Sequence, residues 1–348
     1  RYLREYQSLG TGGGLYHFRD EITRGNPDNV FVLNADIASS FPLAEMLSFH
    51  EKQKGVGTIL ASRVPRDEVH KYGCVVANPD THEVLHFVEK PETFMSDLIS
   101  CGIYLFTKDI FPVMSAAIEK RRADLLESGD DAVRSASDEK VALEQDVLSL
   151  LASEMKLFAY VCDPKRDFWM QIKTGSSAIP ANRKYLQHFV RAAPRRLSEA
   201  PLPSADLLVA EPAARAEVVQ PAYIHPSAQI HPTARLGPNV SIGPRVTIAR
   251  GVRIRDSIIL DNVDIKNDSC ILNSIVGWDS KIGCWARVEG AAPAAAAPVG
   301  AATAKGMKVP SACIIGKDVV IADEITVRNC IVLPHKEIKS SQHNEILM

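Results

Sequence analysis

A chain of 348 residues with 46 % apolar content can bury two cores, and a formal charge of −2 from 40 basic and 42 acidic residues excludes the electrostatics of a nucleic-acid or anionic-membrane binder. Its 7 cysteines are odd in number, scattered and free of any CxxC pair, which argues against a disulfide framework and against a zinc site. With no basic-then-apolar leader and no long apolar span, the chain reads as soluble, untargeted and cytoplasmic.

Leu9-Gly-Thr-Gly-Gly-Gly14 precedes Leu15, Phe18 and Ile22 at helical spacing, so a glycine-rich loop is expected to feed a helix N-terminus. Backbone N–H groups there can approach an anion closely, because no Cβ intervenes. The spacing is not the GxGxxG fingerprint and no P-loop lysine follows; a plain turn accounts for the same residues. Asn29-Val-Phe-Val-Leu-Asn-Ala-Asp36 is an apolar run ending on a carboxylate. It reads as a strand buried on both faces of a parallel sheet, with Asp36 at the carboxyl end, where a metal or phosphate binds.

A helix around Leu43, Met46 and Leu47 and a strand over 56–62 extend a βαβ pattern. Lys71-Tyr-Gly-Cys-Val-Val-Ala77 and Val84-Leu-His-Phe-Val88 flank the turn signal Asn78-Pro-Asp-Thr and predict a hairpin. Its second strand runs into Glu89-Lys90-Pro91, where a proline stiffens the exit of two charges: either solvated surface or a ligand contact. A strand at 103–106, a helix over 116–126, an irregular loop at 127–140, a helix from Val141 and a strand at 157–162 complete a domain expected to span 1–190.

An Ala/Pro/Arg-rich linker is expected at 191–221. Beyond it Ile224, Ile230, Leu236, Ile242, Ile248 and Ile254 recur every six residues, with Ala228, Ala234, Val240, Val246 and Val252 in a second series. A period of six fits neither helix nor flat strand; it is the mark of a parallel β-helix whose aliphatic residues stack inward while Gly, Pro and Asn turn the corners. The period continues at Ile265, Ile271, Ile282 and Val288, and returns at Ile315, Ile321, Val327 and Leu333 after an Ala/Pro/Gly-rich insertion at 290–308. The β-helix is expected over 222–348. His225 and His231 sit in His-Pro pairs at repeated corners, so turn formation explains them better than acyltransferase chemistry.

This layout resembles the sugar-1-phosphate nucleotidyltransferases: an α/β, Rossmann-like domain followed by a left-handed parallel β-helix of hexapeptide repeats. Leu9-Gly-Thr-Gly-Gly, Phe31-Val-Leu-Asn-Ala-Asp36, Lys71-Tyr-Gly73 and Phe87-Val-Glu-Lys-Pro91 look like the GDP-mannose pyrophosphorylase (mannose-1-phosphate guanylyltransferase) family, closest to its α-type subunits. Leu143-Glu-Gln-Asp-Val147, Trp169-Met-Gln-Ile-Lys173, Ser274-Ile-Val-Gly-Trp278 and Ile331-Val-Leu-Pro-His-Lys-Glu337 support it.

The resemblance implies a nucleotide site at Leu9, Gly10, Gly12, Gly13, Gly14 and Asp36. It implies a sugar and phosphate site at Tyr72, Gly73, Glu89, Lys90 and Ser100, with Asp36 also a ligand of Mg²⁺. Three departures set this chain apart from active members. The family's first βα unit with its phosphate loop has no counterpart before Arg1, Gln171 stands where a second metal-binding aspartate is expected, and Ser100 stands for an asparagine near the sugar. An amide coordinates through oxygen but lacks the charge that holds Mg²⁺. The resemblance therefore implies a non-catalytic subunit that binds GDP-mannose, a related nucleotide sugar or GTP, joins a homo- or hetero-oligomer, and regulates a β-type partner. The alternatives are an active guanylyltransferase using GTP and mannose 1-phosphate, and a scaffold like the related translation exchange factor subunits.

Overall fold

The computed structural model describes residues 1–127, 140–197, 216–291 and 311–348. The loop expected at 127–140 and the insertion at 290–308 lie almost wholly outside the described residues, and the linker at 191–221 largely so. The chain divides into two compact units, Arg1–Met170 and Gln171–Met348. Among the described residues no helix is long and apolar enough to cross a membrane.

In chain order the first unit contains α1 (Gly10–His17), α2 (Arg19–Ile22), β1 (Asn29–Leu33), β2 (Ile37–Ser39), α3 (Leu43–Gln53), β3 (Gly57–Arg63), β4 (Gly73–Ala77), β5 (Val84–Glu89), β6 (Leu98–Thr107), α4 (Ile110–Glu127), a π-helical turn (Leu143–Leu148), α5 (Ser149–Ser153) and β7 (Leu157–Val161). A short strand, β8 (Trp169–Gln171), pairs with β2. The main sheet runs β5-β4-β6-β3-β7, with β1 also beside β6. It is mixed: β3 pairs parallel with β7, whereas β6 is antiparallel to β1, β3 and β4.

The strand buried on both faces is β6, not β1. Every β6 residue but its last is buried, whereas β1 is half-buried, antiparallel to β6 from Asn29↔Thr107 to Leu33↔Ile103, and leaves Leu33 41 % exposed. A short apolar run fixes neither direction nor position in a sheet, and that is why the sequence misplaced it. The hairpin β4–β5 forms as expected, with Gly73 opposite Glu89.

Strand alternation sorts the core into layers. Ile59, Ala61, Tyr104 and Phe106 pack toward Ile110, Met114, Leu143 and Leu148 on one side. On the other, Leu60, Ile103 and Leu105 pack with Met46 of α3. Each such large apolar side chain contributes about 1.5–3 kcal/mol by leaving water.

His50 of α3 is buried against this second layer, with Nδ1 2.8 Å from Thr58 Oγ1 and Nε2 without a hydrogen-bond partner. Burial pushes its pKa below 6.5, and the charge of Glu51 only partly opposes this. The unfolded chain then binds more protons than the folded one just below that value. Stability is therefore expected to hold above about pH 6.5 and to fall as the pH drops from there. Urea melts at pH 7.5 and 5.5 should show a smaller loss in His50→Asn than in the parent.

The second unit begins with α6 (Ala178–Ala192), assigned by sequence to the first domain, whose Ile179, Ala181 and Leu186 are buried. Within this unit α6 is fastened to the β-solenoid: Ser241 Oγ donates to Asn182 Oδ1 at 2.6 Å, and Arg183 meets Asp256 at 2.7 Å. The solenoid starts at strand Glu217–Val218, inside the expected linker, because that strand extends a ladder at Arg235–Leu236. Three parallel sheets of seven, six and seven strands form its faces. Ile224, Ile230, Leu236, Ile242, Ile248 and Ile254 all point into one core, as their period requires.

Neighbouring coils are 18 residues apart at first, as between Ser227 and Arg245, and 17 further on, as between Asn262 and Asp279. The lost residue comes from one side of the coil, where Ile254 is followed inward by Ile259, Ile271 by Val276 and Val327 by Val332. For that reason Leu333, expected inward, is 40 % exposed while Val332 is 1 % exposed. Small buried residues, Ser257, Ser274, Cys313 and Cys330, occupy the shortened side. The coils on either side of the insertion stay in register, Ser274 pairing with Cys313.

Corners depend less on glycine than expected: Asn239, Asp256, Asn262, Asp268, Asn273, Asp279 and Asn329 adopt positive φ, as short polar side chains tolerate. His225 and His231 serve corners, their Nδ1 atoms 2.8 and 3.0 Å from Ser227 Oγ and Thr233 Oγ1.

Glu289, 8 % exposed, is held by Arg287 and Arg328 at 2.8 and 2.7 Å. Burial pushes its carboxyl up, but hydrogen bonds from Arg328 and Arg287 outweigh burial and hold it below the ordinary value of 4.5. Its stabilising contribution is full above that value and lost as the pH falls through the depressed one. Glu289→Gln is expected to cost about 2 kcal/mol at pH 7, and less at pH 3, read by chemical denaturation.

Candidate functional site

The glycine segment is helical rather than a loop. Gly12 N and Gly13 N both donate to Val141 O, at 2.9 and 3.2 Å, and Leu143 N donates to Thr11 Oγ1 at 2.8 Å. These bonds compensate a sequence of poor helix propensity. Gly10 has φ +79°, and a Cβ there would stand 2.5 Å from Val141 O. The amides expected to face a nucleotide base are thus turned to the chain at Val141, while Leu9 also accepts from Val141 N at 3.0 Å. Gly14, buried, ends this packed stretch.

Of the residues expected to contact the sugar and its phosphate, Tyr72, Gly73, Glu89 and Lys90 come together. Gly73 and Glu89 are paired at one end of the β4–β5 hairpin, and Lys90 N donates to Tyr72 O at 3.1 Å. Glu89 Oε2 lies 2.9 Å from where a Gly73 Cβ would be, so a larger residue at 73 would push this carboxylate aside. Lys90, with φ +48°, turns back so that Nζ is 3.4 Å from Glu89 Oε1. Tyr72 packs edge-on against Trp169, ring centroids 5.3 Å apart, and burial raises its phenol pKa.

Ser100 lies on β6, next to the single register pair of β4 and β6, Cys74↔Ile99. It donates to Tyr104 at 3.3 Å, and Gly102 N donates back to its Oγ at 3.4 Å. β6 is irregular here: its register with β3 shifts between Ile59 and Ala61, and Gly102 takes φ +68° against Asn34. Asn34 N donates to Gly102 O at 2.9 Å, placing the β1 exit, and Asp36 two residues on, beside this bulge. Asp36 itself stands on an exposed turn.

Sequence reasoning missed the groups that join these parts. Tyr104, 1 % exposed, donates to Glu144 at 3.4 Å, and Thr11 donates to the other Glu144 oxygen at 3.1 Å. A hydrogen-bonded chain Ser100–Tyr104–Glu144–Thr11 therefore links the bulge of β6 to α1. Burial drives the Tyr104 phenol far above its ordinary pKa, and the charges of Glu144 and Glu89 add to the effect, so this hydroxyl stays protonated and can only relay a hydrogen bond. The signals were a tyrosine inside an apolar strand and an acid-rich run after Leu143, but nothing in sequence distance connects them.

The donor set does not fit a self-sufficient Mg²⁺ site. Among the described residues no three His, Cys, Asp or Glu side chains converge. Gln171 supplies an uncharged amide, and Asp167 is committed to Ser40 Oγ at 3.0 Å and Asp163 N at 3.1 Å. A cavity of about 530 Å³ lined by Arg66, His70, Pro91 and Phe94 lies beyond the hairpin exit and contains none of the converging residues.

Residues 1–188 match the family model described as Nucleotidyl transferase, and residues 218–347 match that of the GMPPB C-terminal domain. Over 358 residues the chain is 47 % identical to mannose-1-phosphate guanylyltransferase regulatory subunit alpha-A of Danio rerio, covering 100 % of this chain and 81 % of the relative. The human regulatory subunit alpha is 44 % identical over 356 residues, with coverage of 100 % and 81 %. A probable mannose-1-phosphate guanyltransferase of Schizosaccharomyces pombe is 42 % identical over 351 residues, covering 100 % of this chain and 80 % of that protein.

Proposed function

For a chain that belongs to the mannose-1-phosphate guanylyltransferase family and is a homologue of its regulatory α subunits, we propose a nucleotide-sugar sensor that does not turn its ligand over. The ligand is GDP-mannose or a close relative, and the output is regulation of a catalytic β-type subunit in the same assembly. The observation that carries this reading is a contrast: Tyr72, Gly73, Glu89 and Lys90 come together at one end of the β4–β5 hairpin, while among the described residues no three His, Cys, Asp or Glu side chains gather to hold a metal.

Glu89 offers a carboxylate to sugar hydroxyls, and Lys90 offers a cation to the adjoining phosphate. The Ser100–Tyr104–Glu144–Thr11 chain runs close enough for the Glu89 charge to act on the Tyr104 hydroxyl. Mg²⁺ prefers one or two carboxylates, so nothing here draws the metal strongly before a phosphate arrives. Binding without turnover is the arrangement a sensor needs, since occupancy then reports concentration and couples reciprocally to a partner's affinity.

Calorimetric titration with GDP-mannose, beside pyrophosphate release from GTP and mannose 1-phosphate, tests the proposal. Heat of binding without pyrophosphate supports it, and Gln171→Asp is then expected to tighten Mg²⁺ binding in the presence of ligand. Turnover abolished by Asp36→Asn would replace it with the enzymatic reading, which similarity to the probable mannose-1-phosphate guanyltransferase of fission yeast favours. Co-purification with a β-type relative tests the assembly.

A further inference from the structure

The outer face of one solenoid sheet carries a concentration of positive charge that the overall composition hides. Arg235, Arg253 and Arg287 occupy equivalent outward positions, with Cys270 between the last two in register, and Arg255 and Arg328 stand in the neighbouring column. The carboxylates on this face are Glu217, paired with Arg235 at 3.1 Å, and Glu289, saturated by Arg287 and Arg328. Asp256, at the corner, is shared by Arg183 and Arg255. The face is thus net positive on a chain whose formal charge is −2.

Like charges in register on adjacent strands repel, so Arg235 beside Arg253 carries a cost unless an anion offsets it. Glu217 neutralises Arg235, whereas the exposed side chain of Arg253 makes no ion pair or hydrogen bond among the described residues. We propose that this face binds a phosphoryl anion, seated over Cys270 between the guanidinium groups of Arg253 and Arg287, with Arg255 closing a third side.

The spacing suits that occupant. Arg253 and Arg287 are two ladder steps apart, about 9.6 Å at roughly 4.8 Å per step. Long arginine side chains on strands this far apart can both reach one tetrahedral anion lying between them. The rung between them is short: Cys270 is half-buried and leaves a notch where a long side chain would fill the gap. Burial raises the thiol pKa of Cys270 and the Glu289 charge adds to this, while Arg287, Arg253 and Arg255 lie near enough for each to lower it; the thiol stays neutral and does not repel an anion. Arg287 spends Nε and one terminal nitrogen on Glu289 and keeps its other donors for a ligand. Flat guanidinium forks favour phosphate over a halide.

Thiol footprinting of the full chain tests this, because Cys270 and Cys284 are half-exposed while the other cysteines are buried. Alkylation of each is followed by peptide mass spectrometry with inorganic phosphate, pyrophosphate or GTP, at ionic strength fixed with sodium chloride. Pyrophosphate is expected to slow Cys270 about tenfold, the factor that one unit of thiol pKa supplies, and to leave Cys284 unchanged. The protection should disappear in Arg253→Gln, a change that breaks no structural contact. It should persist in Glu89→Ala, which separates this site from the one in the first unit. Protection by GTP but not by pyrophosphate would make the source a nucleotide; protection by both would make it any phosphate chain. Equal slowing at Cys284, protection retained in Arg253→Gln, or no protection by any of the three anions would overturn the proposal.

Discussion

Ile271→Asp is expected to unfold the middle of the solenoid. Ile271 is fully buried, laddered between Ile254 and Val288, and touches core residues of the coils on both sides. A carboxylate there has no cation in reach of its inward position, and burying such a charge costs more than about 4 kcal/mol. Coils contact chiefly their neighbours, so the damage should divide the solenoid rather than merely lower its midpoint. Urea denaturation followed by circular dichroism should resolve two transitions, or one displaced far downward, in place of a single cooperative one. Ile271→Val, which keeps the shape, should cost only about 0.5–1.5 kcal/mol. A carboxylate tolerated without loss would mean that this column of the solenoid is not packed.

Glu89→Ala is expected to weaken binding of GDP-mannose about 10- to 100-fold, the range spanned by about 1.5–3 kcal/mol for hydrogen bonds to a charged group. The hairpin itself should survive, because the β4–β5 ladder is held by main-chain bonds and the salt bridge to Lys90 is exposed. Glu89→Gln keeps the shape and an acceptor and should lose less. Calorimetry gives the affinity, and an unchanged melting temperature without ligand separates lost recognition from lost fold. Equal affinity in parent and alanine variant would remove the sugar from this hairpin.

How far each part could be read from sequence follows from the length scale of its signal. The six-residue period needs no partner to be visible, and it located Ile224 through Ile254 in the core. It failed at Leu333, because a coil shortened by one residue shifts the inward position to Val332. The α/β unit was harder. Asn29 to Leu33 announces a strand, but direction and position are set by β6, whose ten residues include Ser100, Cys101 and Gly102 and therefore look less apolar than they are buried. The glycine segment was read as a loop because propensity speaks for itself alone, while Val141 decides the matter from across the fold.

The site shows the same division. Tyr72, Gly73, Glu89 and Lys90 are close in a hairpin, so turn chemistry was enough to group them. Thr11, Tyr104 and Glu144 meet only through tertiary packing, the first and the last being 133 positions apart. The chemistry of Tyr104 comes from its burial and from two nearby carboxylates, neither of which a local window contains.

The register across the insertion carries a practical consequence. Cys284 N donates to Asp323 Oδ1 across a separation of 39 positions, where equivalent positions on other neighbouring coils, such as Asn262 and Asp279, are 17 apart, and all three sheets continue through the gap. Gly290 seals the corner: a Cβ there would stand 2.2 Å from Asn273 O, so the chain departs flush with the coil beneath. Such a corner acts as a port. Cargo of different length can be exchanged between 291 and 311 while the scaffold on both sides remains unaware of it. A fluorescent reporter or an affinity handle spliced there would ride on the solenoid without disturbing a rung.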